Sequence, residues 1–169
     1  MKKIILITGG QRSGKSTYAE QFALSLSENP IYIATAHIWD DEFRTRVDKH
    51  KERRGSEWTN IEEEKYLSNH KYQGRTILID CLTLWSTNFF FENKSDVNLS
   101  LSQLKKEFDE FTNQDDTFIF VTNEIGCGGV SDNEIQRKFT DLLGWMNQYV
   151  ASKADEVYCM ISGIALKIK

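Results

Sequence analysis

Ile4-Ile5-Leu6-Ile7-Thr8-Gly9-Gly10-Gln11-Arg12-Ser13-Gly14-Lys15-Ser16 is an apolar, β-branched run that breaks into a glycine-rich turn. Gly9 to Ser16 match G-x-x-x-x-G-K-[ST] at every defined position, the pattern of a phosphate-binding P-loop. Each position has a chemical reason. Glycines let main-chain N–H groups curl around phosphate oxygens, so Gly9, Gly10, Gln11, Arg12, Ser13 and Gly14 are expected to cradle a nucleoside triphosphate. Lys15 reaches its β/γ phosphates and the Ser16 hydroxyl is expected to ligate Mg²⁺. The helix that follows points its positive N-terminal end at the anion.

Four further apolar runs read as buried strands: Ile31–Thr35, Thr76–Asp80, Thr117–Thr122 and Val157–Ser162. Like Ile4–Thr8 they are nearly continuous instead of alternating, which marks strands covered on both faces of a parallel sheet. Ile164–Ile168 is expected to pair back on the last of them as a hairpin through Ser162-Gly163. Helical spacing appears in Tyr18, Phe22 and Leu26, in Leu101, Leu104, Phe108 and Phe111, and in Ile135, Phe139, Leu142, Met146 and Val150. Ser131 and Glu134 read as a capping box for the last of these helices. Asp40, Asp41 and Glu42 read as the acidic first turn of another. The polar stretch Glu92–Asn98 reads as a loop. Strands alternating with helices predict one doubly wound α/β domain over residues 1–169, its ligands at the edge where the strand-to-helix loops gather.

Composition agrees with a globule: 40% of residues are hydrophobic and 27% charged. The formal net charge of −4, with no basic stripe, argues against a nucleic-acid partner. Cys81, Cys127 and Cys159 lie apart from one another within apolar segments and are expected to be reduced core thiols of a cytoplasmic protein, without a structural zinc. Lys2 and Lys3 precede an apolar run of only about five residues, too short for a signal sequence. No stretch reaches the ~18 apolar residues of a membrane span.

A carboxylate that holds the hydrated metal is expected at the end of a buried strand. Asp80, after Ile77-Leu78-Ile79, fits well; the lesser alternative is an Asp that caps a helix starting at Leu82. Glu124 is a second candidate at the same edge. Of the histidines, His50 lies in Asp48-Lys49-His50-Lys51-Glu52-Arg53-Arg54, where neighbouring cations suit a phosphate-rich ligand and favour a neutral, nucleophilic imidazole. Phe43, Val47 and His50 also share a helical face, so the same residue equally reads as one bordering the core. His37 reads as a strand-end residue near the nucleotide, and His70 as a surface loop residue.

Several segments in order resemble the bifunctional adenosylcobinamide kinase / adenosylcobinamide-phosphate guanylyltransferase family. They are Thr8 to Ser16, Tyr32-Ile33-Ala34-Thr35-Ala36, Asp40-Asp41-Glu42, the stretch holding Arg46, His50, Lys51, Arg54 and Trp58, Asp80-Cys81-Leu82-Thr83 with Thr87-Asn88, Thr122-Asn123-Glu124-Ile125-Gly126, and Ser162-Gly163-Ile164 with Lys167-Ile168-Lys169. The resemblance spans Ile5 to Lys169. It implies a RecA-like P-loop fold, His50 as the residue that becomes guanylylated, and contacts to the guanine nucleotide from Ala34, Thr35, Ala36, Lys51, Glu52, Arg53, Arg54 and Glu62, beside Asp80 on the metal. It also implies GTP and ATP as substrates, a corrinoid acceptor, and a homo-oligomer, trimers occurring in the family. Two departures fall in loops: Gly128-Gly129-Val130-Ser131 replaces a Gly-Ile-Val-Pro-like run, and Glu64 stands where a proline is common.

Two rival readings remain distinguishable. In a monofunctional small-molecule P-loop kinase, His50 only packs and GTP leaves no covalent label. In a RecA-like ATPase acting on nucleic acid, hydrolysis is stimulated by the polymer, which the acidic charge disfavours.

Overall fold

The burial pattern of the apolar runs dictates a sheet covered on both sides, and this is what the computed structural model contains. It describes residues 1–38, 41, 44, 45 and 54–169. The strands are β1 (Lys3–Gly9), β2 (Ile31–Ala34), β3 (Thr59–Glu62), β4 (Thr76–Asp80), β5 (Thr117–Val121), β6 (Glu156–Ile161) and β7 (Ile164–Lys167). They form a seven-stranded sheet in the order β3-β2-β4-β5-β1-β6-β7. Every neighbouring pair is parallel except β6 with β7, the expected hairpin.

The helices that lie wholly within the described residues are α1 (Lys15–Leu26), α2 (Leu82–Glu92), α3 (Val97–Phe111) and α4 (Glu134–Lys153). Alternate residues of each strand point to opposite faces. Ile4, Leu6, Ile33, Ile77, Phe118 and Phe120 pack under α2, α3 and α4. Ile5, Ile7, Leu78, Ile119 and Val121 pack under α1. The larger core is aromatic: the ring centroids of Phe108 and Phe120 are 5.2 Å apart and those of Phe111 and Phe118 are 5.0 Å apart. Full burial of such a ring contributes about 1.5–3 kcal/mol, so this layer is a main source of stability.

Some expectations are corrected. β3 was not foreseen, because it is an edge strand with three of its four residues exposed and carries no apolar signal. The fully buried stripe of α1 is Lys15, Ala19 and Ala23, whose small alanines let the helix lie close on the sheet; Tyr18 and Phe22 pack partly buried beside it against Tyr158, and only Leu26 of the expected stripe is exposed. Asn133 caps α4, its side chain accepting the Gln136 N–H, while Ser131 accepts from the Asn133 N–H, so there is no Ser131–Glu134 box. Helix α2 runs to Glu92 and α3 starts at Val97 with Asp96 as its cap, leaving only residues 93–96 as the loop. The three cysteines are free, but only Cys81 is buried; Cys127 is exposed in the turn Ile125–Gly128. Asp40 and Glu42, expected at a helix start, lie outside the described residues. No helix among the described residues is long and apolar enough to cross a membrane.

Candidate nucleotide site at the carboxyl edge of the sheet

β1 ends at Gly9 with φ 150°, and a Cβ there would lie 2.6 Å from the Met160 carbonyl oxygen and 2.9 Å from Ser13 Oγ. Only glycine fits. The turn then carries Arg12 and Gly14 at φ 59° and 93°. Gly14 precedes α1 and has no side chain to cap it, which leaves first-turn N–H groups for an anion. The Lys15 side chain is buried and folds over the loop, Nζ donating to the Gly10 carbonyl at 2.5 Å and lying 3.5 Å from Ser13 Oγ. Burial pushes its amine pKa down, opposed by the negative charge of nearby Asp80. Gly10, Gln11 and Arg12 are exposed and Ser16 is half-buried at the start of α1. The hairpin turn closes the loop from behind: the Gly163 N–H donates to the Ser13 carbonyl at 2.9 Å.

The next strands bring the other candidates level with one another. Ala34 is in register with Glu62 on one side and with Asp80 on the other, so three candidate residues form a row across β3, β2 and β4. Asp80 Oδ2 accepts the Tyr32 hydroxyl at 2.8 Å. Burial, reinforced by the Asp80 charge, pushes that phenol well above its usual pKa, so it stays a donor. Thr35, fully buried, fixes the exit of β2: Oγ1 donates to the Cys81 carbonyl at 2.8 Å and accepts the Cys81 N–H at 2.9 Å. Ala36 follows, half-buried. Glu124, the second carboxylate, accepts the Thr8 hydroxyl at 3.0 Å, and its N–H donates to the Gly9 carbonyl at 3.1 Å.

The donor set suits a hard divalent ion: the Ser16 hydroxyl and Asp80 carboxylate are oxygen ligands of the kind Mg²⁺ takes alongside water and phosphate. Asp80 ends β4 and Gly9 ends β1, so the carboxylate and the P-loop lie at the same carboxyl edge of the sheet.

Arg54 is buried, with its guanidinium carbon 3.5 Å from the centre of the Tyr32 ring and Nε donating to Asn60 Oδ1 at 2.8 Å. His50, Lys51, Glu52 and Arg53 lie outside the described residues. His37 pairs with Glu64 at 2.9 Å and His70 with Glu63 at 3.3 Å. Tyr32 as the partner of Asp80 was not foreseen; inside a buried strand its hydroxyl carries no sequence signal. Nor were two residues of α2: Thr83 Oγ1 accepts the Asn123 N–H at 3.0 Å, and the Asn88 amide bonds the Thr35 carbonyl.

Comparison with known proteins adds to this geometry. The fold is shared with the flagellar accessory protein FlaH from Methanocaldococcus jannaschii, at TM-score 0.51 and 15% identity over 99% of this chain and 78% of that one. It is shared also with an ATPase from the type III secretion system of pathogenic bacteria, at TM-score 0.57 and 11% identity over 98% of this chain and 56% of that one. The architecture is therefore the RecA-like P-loop α/β fold. In sequence, the chain is 32% identical to the bifunctional adenosylcobalamin biosynthesis protein CobU of Escherichia coli over 98% of this chain and 99% of that protein. It is 34% identical to the corresponding protein CobP of Pseudomonas aeruginosa, over 97% and 96%. Residues 5–168 match the family described as cobinamide kinase / cobinamide phosphate guanyltransferase. With a complete P-loop on β1 and relatives aligned end to end, the chain belongs to the cobinamide kinase / cobinamide phosphate guanyltransferase family.

Proposed function

We propose that the protein catalyses two reactions of adenosylcobalamin synthesis in the cytoplasm: phosphorylation of adenosylcobinamide by ATP or GTP, and transfer of GMP from GTP to the product, giving adenosylcobinamide-GDP. The observation that carries this reading is the P-loop turn at the end of β1 together with the row Glu62, Ala34, Asp80 at the same carboxyl edge of the sheet, within a chain matched to this family over residues 5–168.

In the kinase reaction the alcohol oxygen of the corrinoid side chain attacks the γ-phosphorus and the bond to the β-phosphate oxygen breaks. Lys15 and the amides of residues 9–14 meet the negative charge that spreads over the transferred group. Ser16, and Asp80 through water, would hold Mg²⁺, which neutralises the β/γ oxygens when bound. In the transferase reaction an imidazole nitrogen of His50 attacks the α-phosphorus of GTP and pyrophosphate leaves. The phosphate of adenosylcobinamide phosphate then attacks that phosphorus and frees His50. Two displacements replace one. Ala34, Thr35, Ala36 and Glu62, with Lys51, Glu52, Arg53 and Arg54, are assigned to the guanine nucleotide. The acceptor is a corrinoid and not a nucleic acid, and the working form is a homo-oligomer.

The test is incubation with GTP labelled at the α-phosphate, denaturation, and mass analysis. An acid-labile, base-stable GMP adduct on His50 supports the reading. Absence of any adduct while ATP is still consumed with adenosylcobinamide reduces the protein to a plain kinase.

A further inference from the structure

Beyond Ala34 and Glu62 the β2–β3 ladder stops. Its last main-chain bond runs from the Glu63 N–H to the Ala34 carbonyl at 3.0 Å. The next two carbonyls, of Thr35 and Glu64, are both acceptors and cannot bond each other. Asn88, on the second half of α2, reaches both: its Nδ2 donates to the Thr35 carbonyl at 2.8 Å and to the Glu64 carbonyl at 2.8 Å. A side-chain NH₂ carries two hydrogens, one for each acceptor, and because both partners are carbonyls the amide orientation is fixed.

The bridge is rigid at each end. Thr35 is locked to Cys81 by two bonds through its hydroxyl, and the segment after Glu64 is held where Trp85 Nε1 donates to the Lys65 carbonyl at 2.8 Å. Both anchors are thus tied to α2 or to Cys81 just before it, and Cys81 directly follows Asp80. Asn88 replaces the missing ladder bond where the strands would otherwise splay.

We infer that Asn88 is a positioning residue for nucleotide selection: by bridging Thr35 and Glu64 it sets the separation of the β2 and β3 exits, Thr35–Ala36 and Glu62, between which the guanine nucleotide is recognised. This rests on the function proposed above. Asn88 touches neither the phosphates nor the reacting atoms; it acts through the two main-chain segments it joins.

The experiment compares the full-length wild type with Asn88→Asp and Asn88→Ala. Aspartate has the same shape but presents only acceptors to two carbonyls; alanine deletes the donors without adding charge and serves if the aspartate variant does not fold. Equilibrium binding of GTP and of ATP is measured by titration calorimetry, and GMP-adduct formation is followed against GTP concentration. The expected result is a GTP Kd and KM raised about tenfold in Asn88→Asp and less in Asn88→Ala, the maximal adduct rate within about threefold, and a smaller GTP-over-ATP preference, a pattern of lost binding rather than lost chemistry. A lower Tm with GTP Kd, KM and preference all unchanged overturns the inference. Wild-type protein that binds GTP selectively but forms no adduct overturns the covalent reaction alone, because the binding ratio still reports on Asn88.

Discussion

The Tyr32 hydroxyl donates to Asp80 Oδ2 at 2.8 Å, so the carboxylate assigned to the metal is held from the adjacent strand as well as by its own main chain. Its direction is thereby set before any ligand arrives. Asp80→Asn keeps the shape but not the charge. The variant is expected to fold, and to need roughly ten times more Mg²⁺ for half-maximal kinase activity, since a hydrated cation is held by charge. Activity titrated with Mg²⁺ is the measurement; an unchanged midpoint transfers the role to Glu124.

Lys15→Ala is expected to abolish kinase turnover and to slow GMP transfer, by about 10²-fold or more, because its charge lies where phosphate charge builds up. Steady-state rates on protein shown to be folded by circular dichroism check this. Turnover near that of the wild type would remove the P-loop from the mechanism.

His50→Ala is expected to form no GMP adduct and to retain most kinase activity, since γ-phosphoryl transfer requires no protein nucleophile. Mass analysis after exposure to GTP, with a parallel kinase assay, separates the two outcomes. Adduct persisting on the variant would direct the search to His37.

Gly9→Ala is expected to cost about 2 kcal/mol or more of stability, from a positive φ and from a Cβ only 2.6 Å from the Met160 carbonyl oxygen. Thermal unfolding, with nucleotide absent, measures it. Gly74→Ala, at φ 65° with open space around its Cβ, tests the backbone term without the clash.

Glu156 supplies a pH signature. Its bonds to Lys3, Tyr158 and Lys167 hold its pKa down to about 2. A carboxyl held below its unfolded value stabilises the fold above that unfolded pKa, and the contribution disappears as pH falls toward 2. Glu156→Gln is therefore expected to lower Tm at pH 7 and to differ less and less from the wild type as the pH is taken below ~4.5. A gap in Tm that stays constant with pH would refute the assignment.

The fold was legible because its central strands β1, β2, β4 and β5 are buried on both faces and announce themselves as runs such as Ile4–Thr8. β3 was not, because an exposed edge strand such as Thr59–Glu62 needs only main-chain bonds to its neighbour. The stripe of α1 was read only in part because large residues dominate a periodicity: Tyr18 and Phe22 do pack, against Tyr158, but the closest face to the sheet is made of Ala19 and Ala23. At the site, the P-loop is a local motif and its chemistry can be read in eight consecutive residues. Tyr32, Thr35 and Asn88 make their hydrogen bonds to partners 24 to 53 residues away, which no local pattern specifies. His50 sits among basic residues that fit a surface face as well as a phosphate site; the family resemblance supplied the distinction.

The bond between Gly163 and Ser13 joins residues 150 positions apart (163 − 13). During synthesis the whole phosphate-binding motif leaves the ribosome long before the hairpin turn that braces it has been translated. At the ~5–20 residues per second of elongation, that gap lasts roughly 8–30 s. A nascent chain thus carries every residue of the motif without its brace, and the nucleotide pocket matures only after residue 163 has emerged.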